Sequence, residues 1–306
     1  MWEYSFFRQH YGHYHWLDDT LSLAGVNELP DYDRLLAEGA LAAWARDRFA
    51  RSLILADRAD EAARALGHPP PLPALKARFN VAVHQERLHD AGQLLNQLLA
   101  ESAAQASPRY HADNLVVLTL GLAQSGMASE ATQAAAEALD LARPTGNPTS
   151  ISWAGVAGGS AQLLSDPRQA ARAFSAASRL ARTVRNHWVN GMALSGLVTA
   201  LRRQGQTAQA RQLLVEVVDL WGRNRSAGQL SRACQESILL LAEGGQGEAA
   251  ARLLARLELV DQVYPMLPDD QERLDELASD LRRLDVAVDA VTPVRLDQVL
   301  RSELGR

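Results

Sequence analysis

The chain repeats a pattern about every 40 residues, and this periodicity constrains its fold more than any local motif. Five segments share an alanine that follows a short polar turn and opens an apolar stripe. These alanines are Ala91, Ala131, Ala170, Ala210 and Ala249, and their separations are 40, 39, 40 and 39 residues. A period this regular is typical of solenoids, in which each unit buries its apolar face only by stacking on its neighbours.

Each unit contains two amphipathic helices. In the unit around Ala210, one apolar stripe runs from Val189 to Ala200 and a second runs from Ala210 to Trp221. Both stripes have the i, i+3, i+4, i+7 spacing of an α-helix, and no segment alternates as a strand does. We therefore predict an all-α solenoid of antiparallel helix pairs.

The corners between paired helices carry residues that end or start helices. Three corners contain glycine, at Gly126, at Gly205 and at the adjacent Gly244 and Gly245, and the middle corner reads Asp166–Pro167. Glycine permits the left-handed backbone of a helix exit, and proline suits the first helical position.

Two proline-containing segments interrupt the period. They are "GHPPPLP" at residues 67–73 and "VYPMLPDD" at residues 263–270. We predict divergent N-terminal hairpins that cap the array over residues 1–68, the repeat array over 69–258, and capping helices over 259–306.

The repeated residues resemble the tetratricopeptide repeat. That family has a small residue at the anchoring position and a larger apolar residue four positions later, where this chain has Leu95, Ala135, Phe174, Leu214 and Leu253. The unit is longer here than the usual length of about 34 residues. The resemblance implies a right-handed superhelix whose concave face is lined by the first helix of each unit.

Nearly the whole chain also resembles the C-terminal helical arm of bacterial signal-transduction (STAND-type) ATPases and large LuxR-type regulators. The residues that carry this resemblance are Phe6, Phe7, Tyr11, Gly12, Trp16, Leu17 and the run "TPVRLDQVL" at 292–300. The sequence has no Gly-x-x-x-x-Gly-Lys-Ser/Thr loop, so only the arm is matched. The resemblance implies a sensor or scaffold arm in bacterial signalling or transcription regulation.

The composition restricts the kinds of partner and activity that we expect for this protein. A net charge of −5 and a pI near 5.9 argue against direct nucleic-acid binding, which needs clustered positive charge. Cys234 is the only cysteine, which excludes an internal disulfide. No apolar run reaches the roughly 18 residues of a membrane span, and no signal peptide is evident, so we expect a cytoplasmic protein. Catalytic motifs are missing as well, so we predict neither an enzyme nor a cofactor.

The N-terminal segment concentrates aromatic residues. Seven of the seventeen in the chain fall within the first sixteen residues. We predict that six of them form an interface or apolar cap, namely Trp2, Phe6, Phe7, Tyr11, Tyr14 and Trp16. Self-assembly through this segment is the alternative function. The nearby His10, His13 and His15 share no helix face, so we predict no metal site.

The first helix of each unit supplies the candidate ligand contacts. Counting back from the anchoring alanines gives Lys76, Asn80, His84, Asp113, Gln124, Trp153, Gln162, Thr199, Arg202 and Arg203. We expect a polar, solvated wall with a cationic bias that binds a peptide, a protein or a small effector. An acidic or carboxylate-bearing ligand would suit it best.

Two features of this wall leave alternatives open. Lys76 and Asn80 fall where carboxylate-clamp repeats of the tetratricopeptide family hold a peptide terminus, but the next unit has Leu120 in place of the partner asparagine. Gly155, Gly158 and Gly159 indicate either a close approach of neighbouring helices or a recess beneath Trp153.

Overall fold

The computed structural model describes residues 14–46, 48–85, 87–223, 226–260, 266–284 and 296–305. These ranges contain α-helices and two short 3₁₀ turns, and no strand. The fifteen described α-helices are α1 (Tyr14–Leu21), α2 (Tyr32–Trp44), α3 (Phe49–Leu66), α4 (Leu72–His84), α5 (Leu88–Ala104), α6 (Pro108–Gln124), α7 (Ala128–Ala142), α8 (Pro148–Gln162), α9 (Pro167–Thr183), α10 (His187–Arg203), α11 (Thr207–Arg223), α12 (Ala227–Glu243), α13 (Gly247–Leu257), α14 (Pro268–Arg282) and α15 (Leu296–Leu304).

The helices pack as successive hairpins. Each even-numbered helix from α2 to α12 packs on the helix that follows it, and each hairpin packs on the next one along the chain. The prediction of an all-α fold built from neighbouring helix pairs is therefore confirmed. Below, the even-numbered members of the pairs are called the first helices and the odd-numbered members the second helices.

The anchoring alanines lie on the second helices and face the core, as their spacing predicts. Ala131, Ala170 and Ala210 have no exposed surface, while Ala91 and Ala249 are 6% and 8% exposed. Small side chains at buried positions let neighbouring helices approach closely, which agrees with an alanine at each of these positions.

The corner residues also behave as predicted. Gly126, Gly205 and Gly245 adopt left-handed backbone conformations with φ of 73°, 73° and 76°. At the middle corner, the Asp166 side chain accepts hydrogen bonds from the amides of Arg168 and Gln169, with Pro167 in the first turn of α9. The left-handed glycines and the Asp166 cap with Pro167 each let one helix end and the next begin within a few residues.

Close helix approach explains two of the three glycines in α8. A β-carbon placed on Gly159 would lie 2.7 Å from the ring of Phe174, and one on Gly155 would lie 3.2 Å from Ala177 Cβ. Gly158 has no atom within 4 Å of such a carbon. Trp153 is 9% exposed and belongs to the central core cluster. Gly155 and Gly159 therefore allow α9 to pack closely on α8. Trp153 is a core residue.

The first helices pack directly on one another at every step but one. Neighbouring pairs are in backbone contact from α2 to α4 and from α6 through α14, whereas α4 and α6, both fully described, are not closely packed. Small apolar contacts around Phe79, Leu98 and Val117 close part of this step. Trp188, at the start of α10, packs against the N-terminal core as well as the two larger ones.

The C-terminal helices fold back on the array. Leu267, just before α14, is buried in the central core, and Pro268 lies beside Gly126 at the α6–α7 corner. Helix α15 packs on α11 and α12, where Glu303 accepts two hydrogen bonds of 2.9 Å from Arg252. The last helices thus cover the hairpins that precede them.

Candidate ligand-binding site

A lysine is held at the step where α4 and α6 are not closely packed. Lys76 Nζ donates a hydrogen bond of 3.0 Å to Asn114 Oδ1 and lies 5.3 Å from the ring centre of Phe79. Asn114 is completely buried, and its amide nitrogen lies 3.4 Å from the carbonyl oxygen of Leu98. The position of the ammonium group is thus fixed by a side chain inside the fold.

Asp113, the neighbour of Asn114, brings a carboxylate to the same place. Burial raises its pKa to about 6, although the positive charges of Lys76 and Arg109 act in the opposite direction. Burial likewise lowers the pKa of Lys76 to about 8, against the opposing charge of Asp113. The two groups influence each other, yet no ion pair within 4 Å joins them and no hydrogen bond reaches Asp113 from any described residue. Lys76 and Asp113 are both partly buried residues.

Further polar side chains lie around this pair. Burial and the charge of Glu38 raise the pKa of Tyr110 above its usual value, while Arg109 opposes the shift. Glu38 comes from α2, and Arg109 and Tyr110 precede Asp113 on α6. We call Lys76, Asn80, Asp113 and Asn114 the polar junction, because they join α4 to α6 where the backbones do not.

The polar junction is balanced in charge. Among the described residues that interact there, Lys76 and Arg109 are matched by Glu38 and Asp113. The cationic bias that we expected for this wall is therefore not found around Lys76, because Glu38 of α2, which the sequence count did not include, adds a second acid beside Asp113.

Asn80 and His84 have different surroundings although they share a face of α4 with Lys76. His84 Nδ1 accepts a hydrogen bond of 3.2 Å from Trp44 Nε1, and its ring lies 5.4 Å from that of Phe49. The Asn80 side chain makes no hydrogen bond with a described residue, although its backbone oxygen lies 3.1 Å from His84 Nδ1. His84 therefore ties α4 to the preceding hairpin, while the Asn80 amide remains available beside Lys76.

Arg202 and Arg203 lie in a second, separate cluster. Arg202 Nε donates to Glu236 at 2.9 Å and its terminal nitrogen to Asp270 at 2.5 Å, while Thr199 donates to Glu236 at 2.6 Å. Burial acts to lower the pKa of Arg202, but Glu236 and Asp270 raise it above its usual value. We call Thr199, Arg202, Arg203, Glu236 and Asp270 the ion network.

The expectation that these arginines are solvated is wrong. Arg202 is 7% exposed, and Arg203 donates to Asp270 at 3.0 Å and to the carbonyl oxygen of Leu163 at 3.1 Å. Asp270 stands at the start of α14, which folds back over the end of α10. A segment distant in sequence thus supplies the anion that covers them.

The other predicted wall residues do not join the polar junction. Gln162 has a buried side-chain oxygen with no hydrogen-bond partner in the described part of the chain. Gln124 is partly buried at the end of α6. Whether they or Trp153 contact a ligand stays a prediction.

The N-terminal prediction is mostly outside the described residues. Trp2, Phe6, Phe7 and Tyr11 precede residue 14, and the side chain of Tyr14 is not among those described. Trp16 lies in α1 and is 56% exposed, while its neighbour Leu17 is 5% exposed and joins the N-terminal core.

Two searches of the described ranges concern metals and membranes. No group of three or more His, Cys, Asp or Glu side chains is placed to hold a metal ion, and His10 and His13 lie outside these ranges. None of the helices there combines the length and the apolar character needed to cross a bilayer.

Asn114, Glu38 and Asp270 were missed in the sequence. Asn114 directly precedes the largely apolar run "LVVLTLGLA" of α6, and a polar residue on a buried stripe needs a partner. That signal was present, but the partner lies 38 residues away on α4. Nothing local distinguishes Glu38 or Asp270 from the other acidic residues.

Comparisons with known proteins do not assign the chain to a family. No family model matches its sequence, and no curated protein matches it significantly.

Proposed function

We propose that the protein is a non-catalytic helical-repeat sensor or scaffold module that binds a peptide, a protein segment or a small effector at the polar junction. The observation that carries the proposal is that Lys76, which is partly buried, bonds the neutral amide of Asn114, while no described residue donates a hydrogen bond to the neighbouring Asp113. Perturbed ionisable groups with unused hydrogen-bonding capacity are typical of binding sites.

The energetics support a ligand there. A buried polar group that lacks a partner costs roughly 1–3 kcal/mol, and more when it is charged. The ion network shows that this fold can neutralise such groups internally, since Arg202 meets two carboxylates. A ligand that supplied the missing partners at the polar junction would recover part of this cost as binding energy.

The wider setting follows from the two resemblances. We propose that the hairpins wind into a right-handed superhelix of the tetratricopeptide type, with the first helices inside. In this setting the module acts as an arm of a cytoplasmic bacterial signalling or transcription regulator, in which ligand binding at the polar junction alters how the hairpins stack.

Self-association is a second candidate. Trp16 and Leu23 are 56% and 64% exposed at the N-terminal end of the array, and an array end that exposes large apolar groups suits a second copy. Light scattering of the Trp16→Ser, Leu23→Ser variant tests this. A dimer in the unaltered protein that becomes a monomer would support it, and two identical monomers would contradict it.

Capture of ligands from the native host tests the main proposal. The purified protein is incubated with host extract, and bound small molecules, peptides and proteins are identified by mass spectrometry. Lys76→Met should reduce capture of the specific ligand at least tenfold, because a charge-assisted hydrogen bond contributes roughly 1.5–3 kcal/mol.

Arg143→Met is the matched control. This arginine directly follows α7, and its side chain is 64% exposed in a surface pair with Asp140. The control should capture the same ligands as the unaltered protein. If Lys76→Met also captures an unchanged set, the polar junction is not the binding site and the proposal fails.

A further inference from the structure

A contact at the start of α14 closes the array on itself. It is made by Leu267, Pro268 and Asp270, which we call the clasp, and it reaches hairpins that lie far back in the chain. We propose that the clasp is a releasable lock, so that the protein alternates between a closed array and an open one. This inference goes beyond the proposed function and does not depend on the polar junction.

The clasp joins parts of the array that a solenoid does not normally bring together. Each unit of a solenoid contacts only its neighbours. Here a β-carbon on Gly126, at the α6–α7 corner, would lie 3.7 Å from Pro268 Cγ. Three hairpins separate this corner from α14 in the chain, namely α8–α9, α10–α11 and α12–α13. The contact therefore constrains how the hairpins between its two sides are arranged.

An apolar side chain forms the first part of the clasp. Leu267 is buried in the central core cluster, whose other buried members all lie between residues 112 and 200. Its neighbour Met266 is buried in the C-terminal core cluster instead, as is Leu274 of α14. Two successive residues thus enter different cores, and Leu267 attaches the C-terminal helices to the central hairpins.

A carboxylate forms the second part of the clasp. Asp270 Oδ1 accepts a hydrogen bond of 2.5 Å from Arg202. Asp270 Oδ2 accepts two from Arg203, of 3.0 Å from Nη2 and 3.2 Å from Nε. Charge-assisted hydrogen bonds of this kind are about twice as strong as neutral ones and depend on the geometry of both groups. Asp270 therefore holds the start of α14 at one defined place on the end of α10.

Release of Asp270 leaves no buried charge without a partner. Arg202 keeps Glu236 at 2.9 Å and Glu243 at 3.5 Å. Arg203 keeps its hydrogen bond of 3.1 Å to a backbone carbonyl oxygen, and Asp270 itself passes into water. A buried ion pair is costly to break mainly when one charge stays behind uncompensated. Because none does so here, the clasp can open while the rest of the ion network stays intact.

The remainder of α14 has its own attachment to the C-terminal helices. Leu274, Ala278 and Leu281 are buried in the C-terminal core cluster. Opening of the clasp therefore separates two packed bodies, the central hairpins and the C-terminal helices, and does not require a helix to unfold. Movements of packed bodies about a few contacts are a common form of conformational switch.

Spin labels on the two sides of the clasp measure its opening in the whole chain. Met127, next to the corner glycine, is 42% exposed, and Glu272 of α14 is exposed as well. Cys234 is completely buried, so the labels react with introduced cysteines. Pulsed electron paramagnetic resonance of the Met127→Cys, Glu272→Cys protein gives the distribution of distances between the labels. We expect one predominant short distance, which represents the closed array.

Two substitutions should open the clasp, one in each part. Asp270→Asn keeps the shape of the side chain and removes its charge, while Leu267→Ser removes the apolar anchor. Each should lower the ratio of closed to open molecules at least tenfold and populate the same longer distance. Their combination should add no third distance, because both release one lock.

Asp269→Asn is the matched control. This neighbouring carboxylate is 81% exposed and lies 3.8 Å from Arg203, so its substitution should leave the distance distribution unchanged. Circular dichroism of every variant reports whether the helices remain folded. If Leu267→Ser fails to fold, the distribution of Asp270→Asn decides.

Two results would overturn the inference. It is wrong if Asp270→Asn is folded and keeps the distance distribution of the unaltered protein. It is also wrong if Asp270→Asn loses helix content, because the contact would then hold the fold together and would not govern a movement within it.

Discussion

The polar junction and the ion network each combine basic and acidic side chains on even-numbered helices, yet they differ in how their charges are satisfied. In the ion network, Arg202 donates to Glu236 and Asp270, and Arg203 shares Asp270. At the polar junction, Lys76 bonds only a neutral amide, and Asp113 has no hydrogen bond from the described residues. The first arrangement neutralises its charges within the fold, whereas the second leaves hydrogen-bonding capacity unused, as the proposed binding function requires.

The difference has a structural origin. Helix α14 folds back over the end of α10 and delivers Asp270 to the arginines. At the step between α4 and α6 the backbones are not closely packed, and no carboxylate of a described residue forms an ion pair with Lys76.

The largest expected effect comes from opening the ion network. Arg202→Met leaves the buried carboxylates of Glu236 and Asp270 without their main partner and should destabilise the protein by about 3–5 kcal/mol. Urea unfolding measures this, with the exposed Arg143→Met expected within about 0.5 kcal/mol of the unaltered protein. A loss below about 1 kcal/mol for Arg202→Met would show that the network is not structural.

Next in size is the effect of disturbing the close packing between α9 and α10. A β-carbon on Gly196 would lie 2.4 Å from Phe174 Cζ, so Gly196→Ala should cost about 1–3 kcal/mol. Gly158→Ala meets no atom within 4 Å and should raise stability by up to about 1 kcal/mol, because alanine favours a helix. Thermal unfolding of both variants checks this, and equal effects would contradict the packing described for α8 to α10.

Asp113→Asn should stabilise the protein, whereas substitutions in the ion network should destabilise it. The pKa of Asp113 is raised from 3.8 to about 6, so the folded state binds more protons than the unfolded state between these values. Its contribution to stability therefore falls as pH rises from 4 to 6. The variant should match the unaltered protein near pH 4 and exceed it by about 1–2 kcal/mol at pH 7, allowing for partial solvent access.

Urea unfolding at the two pH values measures this difference. If Asp113→Asn instead loses stability at pH 7, the carboxylate is structural, and the contrast between the two clusters disappears.

The smallest effect concerns Lys76. Its pKa is lowered from 10.5 to about 8, so the unfolded state binds more protons in this interval and the stability contribution of Lys76 rises with pH. Lys76→Met lacks this rise. Between pH 7.5 and 9.5, the free energy of unfolding of the unaltered protein should therefore increase by about 1 kcal/mol relative to that of the variant. The buried Cys234 thiol, whose pKa burial raises to about 12, acts equally in both proteins and cancels. Parallel unfolding curves at the two pH values would contradict this prediction.

Much of the fold was predictable because its signals are local. The alanine period, the apolar stripes and the corner glycines each report on residues within two helical turns, and the structure has helix pairs at those places. Part of the site was predictable for the same reason, since Lys76, Asn80 and Asp113 were found by counting along first helices.

The sequence by itself determined that this chain forms stacked helix pairs, where each pair turns, and which helices carry its polar side chains. Only the tertiary structure decided which of those side chains remain available. Asp270 lies 68 residues from Arg202 and removes it from the surface, whereas Asn114 lies 38 residues from Lys76 and holds it in place without neutralising it. Helical periodicity specifies the face on which a charge lies, but the energy of that charge depends on partners that arrive from distant segments and on the water they displace.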